Sequence, residues 1–156
     1  MEHKPIKRHE ALKPLSREHH QGLLLCWKIK MGLRYKVVPE RIKKYADWFY
    51  THHLKPHFHF EEKYIFPILG SDHEKVRQAL KEHQELHKLF KRENPSAATL
   101  QQLSMTLHDH IRFEERKLFN EIEKAANSAQ LKEIQKFHQE NEFQDNTEDQ
   151  FWLLQP

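Results

Sequence analysis

The sequence predicts an all-α protein, and three observations carry that expectation. Only three glycines occur in 156 residues, so turn-rich β architecture is disfavoured. Charged residues make up 31% and hydrophobic residues 37%, mixed along every segment as on amphipathic helices. Val, Ile and Thr show no sustained alternation, whereas apolar residues recur at intervals of three and four. The arrangement expected is an antiparallel up-and-down four-helix bundle with a short fifth C-terminal helix and a tail.

Residues 1–15 read as a polar, proline-containing lead-in, 16–127 as the bundle, and 128–156 as the short helix and tail. The first helix opens at SREHHQGLLLCWKIKMGL, with Ser16 as N-cap and Gly32 near its end. Pro39 suits a first helical turn, and the second helix runs from it through ERIKKYADWFYTHHLK to about residue 69. Pro56 is expected to kink or break it just before His57, because proline lacks an amide donor and crowds the preceding turn. SDHE at Ser71–Glu74 has the form of a capping box for a third helix over 72–92. Asn94 and Pro95 close that loop, and a long fourth helix over 96–126 carries Leu100, Leu103, Leu107, Ile111, Leu118 and Ile122 at helical spacing. A fifth helix covers 129–139, and an acidic tail ends in the aromatic stretch FWLLQP, which either docks or lies loose.

The length suits one domain with a real core. A single cysteine, Cys26, excludes an internal disulfide, and no apolar leader follows the basic N-terminus, so a cytoplasmic protein is expected. No apolar run approaches the roughly 20 residues of a membrane span. The net charge of +3 is dispersed rather than gathered in a basic block, so neither nucleic acid nor membrane is an expected partner.

Histidine is the anomaly: fourteen occur, where ordinary usage gives roughly three or four. On a helix, residues four apart stack on one face, so His57 projects with Glu61, His83 with His87, and His110 with Glu114. The first helix offers His19 or His20. Each main helix thus carries a candidate metal ligand, and three carry a pair. Two six-coordinate ions have about twelve positions, of which five imidazoles, two bridging carboxylates and a bridging oxygen would fill about eleven. The remaining position suits dioxygen, nitric oxide or peroxide. Imidazole and carboxylate favour iron, with manganese or zinc as substitutes, and one cysteine cannot build a structural zinc site.

The other histidines have ordinary readings. His3, His9, His52, His59, His73, His108 and His138 are expected at the surface or as satisfied core residues. His53 lies one turn before His57 on the same stripe, but Pro56 disturbs the phase. Glu62 and Glu115 point about 100° from the preceding acids and are read as solvated, or as carboxylates that orient histidines. The aromatic and aliphatic residues around the motifs, Phe58 and Phe113 among them, are most simply core.

REHHQGLL, HFHFEEKYIFP, EHQELH and HIRFEERKLF, spanning residues 16–119, resemble the hemerythrin-like proteins, also called the HHE cation-binding domain. The resemblance implies a four-helix bundle around a non-haem di-iron centre with an oxo or hydroxo bridge. It also implies His57, His83, His87 and His110 as terminal ligands and Glu61 and Glu114 as bridging carboxylates. The spacing of His110 and Glu114 is similar to that of bacterial HHE proteins and the iron-sensing F-box domain rather than the worm oxygen carriers, which offer a histidine and an aspartate five apart. His19 occupies the slot after the acid, as in many relatives. His20 is preferred on spacing, because Leu23, Leu24 and Trp27 follow it at inward intervals. The expected function is binding or sensing a small diatomic ligand or peroxide, or storing iron. A di-iron oxidase or peroxidase-like enzyme and a structural interaction bundle are the alternatives. No nucleophile with its base is evident, so turnover is not part of the expectation.

Overall fold

The structure, a computed structural model, describes residues 7–138 and 142–154. His3 and the last two residues of the terminal FWLLQP stretch lie outside them. Among the described residues every regular element is helical. They are α1 (Lys13–Arg34), α2 (Pro39–Phe49), α3 (Lys55–Phe60), α4 (Glu74–Lys91), α5 (Ala97–Phe113), α6 (Phe119–Ala125) and α7 (Ser128–Phe137). Wide π turns at Tyr50–Leu54, Glu61–Ile65 and Glu114–Leu118 join α2 to α3, α3 to a short 3-10 turn at Phe66–Ile68, and α5 to α6. α1 packs along α5, α4 also lies against α5, and α2 contacts both α1 and α5. No described helix is long and apolar enough to cross a membrane.

Several local expectations change. α1 begins at Lys13 rather than Ser16, because Ala11, Leu12 and Leu15 are buried and extend the apolar face backwards. The described part of the lead-in, residues 7–15, packs on the helices: the Arg8 guanidinium donates to the Glu115 backbone oxygen at 2.6 Å and also reaches Asn120 and Glu123. Pro56 does not break the rod. The π turn ahead of it lets the Lys55 amide donate to the Tyr50 carbonyl, and that wider turn accommodates the ring that would otherwise crowd the carbonyl four residues back. α4 is capped by His73, whose Nδ1 accepts the Lys75 amide at 3.1 Å, not by Ser71. Ser96 caps α5 reciprocally with Thr99.

The tail docks. Phe151 and Trp152 are buried, and Phe151 lies where a Cβ on Gly32 would come within 2.8 Å of its ring, so the absence of a side chain at Gly32 permits the approach. Lys28 holds Asp145 at 2.6 Å, Tyr45 also donates to that carboxylate, and Arg41 pairs with Asp149 at 2.6 Å.

The apolar interior falls into two clusters. One contains Leu25, Leu54, Phe58, Leu86, Leu107 and Ile111. The other contains Leu15, Ile65, Phe66, Ala79, Leu118 and Phe119. Between these sets lie charged or polar candidates from four segments: His19 on α1, Glu61 after α3, His83 on α4 and Glu114 after α5.

Candidate metal centre

Glu61 and Glu114 each occupy the first position of a π turn, and in each case the amide five residues on bonds the glutamate's own carbonyl. In an α-helix a residue four positions on drifts by about 40° around the axis. The wider turn takes up that drift. His57, Glu61 and Ile65 therefore all bury on one stripe, and so do His110, Glu114 and Leu118.

Six of the eight predicted ligands meet. Glu61 and Glu114 have no solvent exposure, and His19, His57, His83 and His110 are all buried. His57 Nε2 lies 3.4 Å and His83 Nε2 3.3 Å from Glu61 Oε1. His110 Nε2 lies 3.3 Å from Glu114 Oε2, and His19 Nε2 2.9 Å from Glu114 Oε1. Two sets of donor atoms, each within 4.8 Å of one another, are suited to a metal ion: His19, His57, Glu61 and Glu114, and Glu61, His83, His110 and Glu114. Both carboxylates belong to both sets.

Each imidazole is held from behind by another carboxylate. Nδ1 of His19 lies 2.7 Å from Glu115, that of His57 2.8 Å from Glu18, that of His83 2.7 Å from Glu62, and that of His110 2.7 Å from Glu82. A carboxylate anion only accepts, so each Nδ1 donates and each Nε2 faces inward, the orientation metal-binding histidines take. Each Glu-His pair bonds both His-x-x-x-Glu-Glu motifs: on α1, Glu18 braces His57 while His19 is braced by Glu115 after α5, and on α4, Glu82 braces His110 while His83 is braced by Glu62 after α3. The centre consequently has two similar halves.

Electrostatics favour charge separation here. Burial opposes the charge on His19 and His83, but Glu114, Glu61 and the outer carboxylates outweigh it and hold both well above the usual histidine range. Burial also opposes His57 ionisation, yet Glu61 and Glu18 bring its pKa to about 9. Glu114 is held well below the carboxylate range against its burial, by His110, His19 and His83. Even so, Nε2 of His57, His83 and His110, both Glu61 oxygens and Glu114 Oε2 have no hydrogen-bond partner. Orphaned buried donors and acceptors are costly. A cation among them would satisfy them together, so the donor set fits a metal ion in number, type and direction.

Two predicted ligands stand apart. His20 is exposed, one residue or about 100° of helix from the buried His19, so the preference for it on spacing is corrected: α1 rolls to bury Leu12 and Leu15. His87 is half-buried and bonds Tyr50. The Phe58 ring, stacked on His83 at 3.9 Å and edge-on to His87 at 5.7 Å, lies beside both histidines.

Glu18 and Glu82 were not singled out from the sequence. Their signal is the Glu-His pair that stands at 18–19 and again at 82–83. His138, expected among the ordinary histidines, sits 3.1 Å from Glu18 and so supports the carboxylate that supports His57. Burial raises the Glu18 pKa, but His138 and His57 outweigh it and lower it to about 2. His53 is half-buried among Trp48, Phe49 and Phe143, held below its usual pKa by burial and then by His52.

Fold and site together define a protein whose regular elements are all helical among the described residues and whose buried histidine and glutamate groups are able to hold a metal ion. No family model, curated protein or solved structure matches the chain.

Proposed function

We propose that the chain is a hemerythrin-like four-helix bundle that binds two iron ions and uses them to bind or sense a small ligand such as dioxygen, nitric oxide or peroxide. The observation that carries this reading is the pair of four-donor sets sharing Glu61 and Glu114. An unshared donor set would suit a single ion; two sets joined through two shared carboxylates, with two imidazoles on each side, suit a pair. His19 and His57 would hold one ion and His83 and His110 the other. Four imidazoles, two carboxylates and a bridging oxygen would fill about ten of about twelve positions, so without His87 about two would stay open rather than one.

When bound, such a pair supplies Lewis acidity and reversible one-electron chemistry. The chain's own part is orientation and exclusion of water. Glu18, Glu62, Glu82 and Glu115 fix the four rings. Phe119, stacked on His19 at 5.2 Å, and Phe58 on His83 shield them. Loading displaces the protons held on Nε2, so metal uptake releases protons.

Metal analysis and visible absorption of protein reconstituted with ferrous iron test the reading. Two irons per chain and a spectrum that changes on adding dioxygen, peroxide or nitric oxide are expected. Failure to retain iron, or an iron-loaded protein indifferent to all three ligands, would overturn it.

A further inference from the structure

The two halves of the centre are not equally enclosed. A cavity of about 250 Å³ opens against His19 and His57, and its lining includes neither His83 nor His110. The waist is formed by Phe49, Leu54, Phe58, Ile111 and Phe143, the first four of them at most 5% exposed. Glu18, His19 and His57 line the end at the centre, half-buried His53 stands among the waist aromatics against Phe49 and Phe143, and exposed Arg17 and Glu142 with half-buried Gln21 complete the lining.

The repeated motifs show why only one side opens. Three residues after the histidine, α1 has Gly22 where α4 has the fully buried Leu86. One residue after the histidine, α3 has Phe58, which covers His83, whereas α5 has the smaller Ile111, which faces Gly22 and lines the cavity. The space is several times what a diatomic ligand needs, since a water molecule takes about 30 Å³ and an apolar cavity of about 150 Å³ already accepts benzene.

We infer that this cavity binds a small, uncharged organic molecule, with an apolar body the size of a substituted benzene and one oxygen directed at the His19 and His57 end. The apolar waist selects the body. Glu18 at the inner end and carboxylate and guanidinium at the rim disfavour a ligand of either net charge. Only the role of the oxygen rests on the proposed di-iron reading; occupation of the waist does not.

The probe is p-cresol, titrated into metal-free and iron-loaded full-length protein and followed on the indole N–H resonance of Trp48, whose ring lies 5.1 Å from His53 and 6.3 Å from Phe143. Saturable one-to-one binding to both forms is expected. Ile111→Phe, which gives α5 the residue α3 carries, should abolish it. Phe143→Ala, at a half-buried wall where the fold is not at risk, should weaken it about tenfold through lost apolar contact. Iron binding without any saturable cresol binding overturns the inference and leaves the di-iron reading intact. Cresol binding without iron retention does the reverse. Unchanged affinity in Phe143→Ala would place the probe elsewhere and also overturn the inference.

Discussion

Removing one ligand from a shared pair and removing a shared ligand have different consequences, and the geometry sets both. His57 belongs to one four-donor set, whereas Glu61 belongs to both. His57→Ala should therefore reduce binding from two ions to one, and Glu61→Ala should remove both. At free metal a hundredfold above the dissociation constant, each ion bound only by the folded state stabilises it by about 2.7 kcal/mol. For a chain of this length 1 kcal/mol moves the melting temperature by about 2–4 °C. The metal-dependent rise should be about 11–22 °C in the parent protein and about 5–11 °C in His57→Ala. In Glu61→Ala it should be near zero. Taking the difference between loaded and metal-free melts for each variant cancels the cost of the substitution itself, which for a buried charge is several kcal/mol. Calorimetric melts with metal analysis of the same samples give the answer. Two ions retained by Glu61→Ala, or complete loss of metal in His57→Ala, would refute the shared-carboxylate reasoning.

Three further outcomes follow from other contacts. Glu82→Gln, which weakens the hold on His110 Nδ1, should lower metal affinity by about 10- to 100-fold, with little change in helical content by circular dichroism. Burial raises the Asp145 pKa, but Lys28 and Tyr45 outweigh it and leave it below the reference value of 3.8. The charged form is thus favoured on folding, and its contribution to tail docking is fully present above about pH 4 and lost as the pH falls through the lowered folded value. Trp152 fluorescence should report that release, and in Asp145→Asn the acid step should be absent. Burial pushes the Cys26 thiol up to about 12, so a thiol reagent at neutral pH should label it at the rate of unfolding; immediate labelling of native protein would contradict its buried position.

Periodicity was sufficient wherever the cause was local. The pairs His57 with Glu61 and His110 with Glu114 were legible because residues four apart share a helical face regardless of what they pack against. The same holds for the apolar series from Leu100 to Ile122. The start of α1 was not legible, because Ser16 has the chemistry of a cap but Leu12 and Leu15 gain more by burial against the rod that follows α5. Pro56 misled for a similar reason: the rule for proline in an α turn does not apply once the backbone widens.

What the chain order alone determined is the helical class and the repeated motifs, properties carried by neighbours three to five residues apart. Only tertiary packing decided that His19 turns inward while His20 faces solvent, and that His87 is paired with Tyr50 beside Phe58. It also decided that Glu18 and Glu82 brace imidazoles on other rods. Those outcomes depend on how each rod rolls about its axis. The roll is set by apolar burial against distant segments, and a single residue's shift turns a side chain by about 100°.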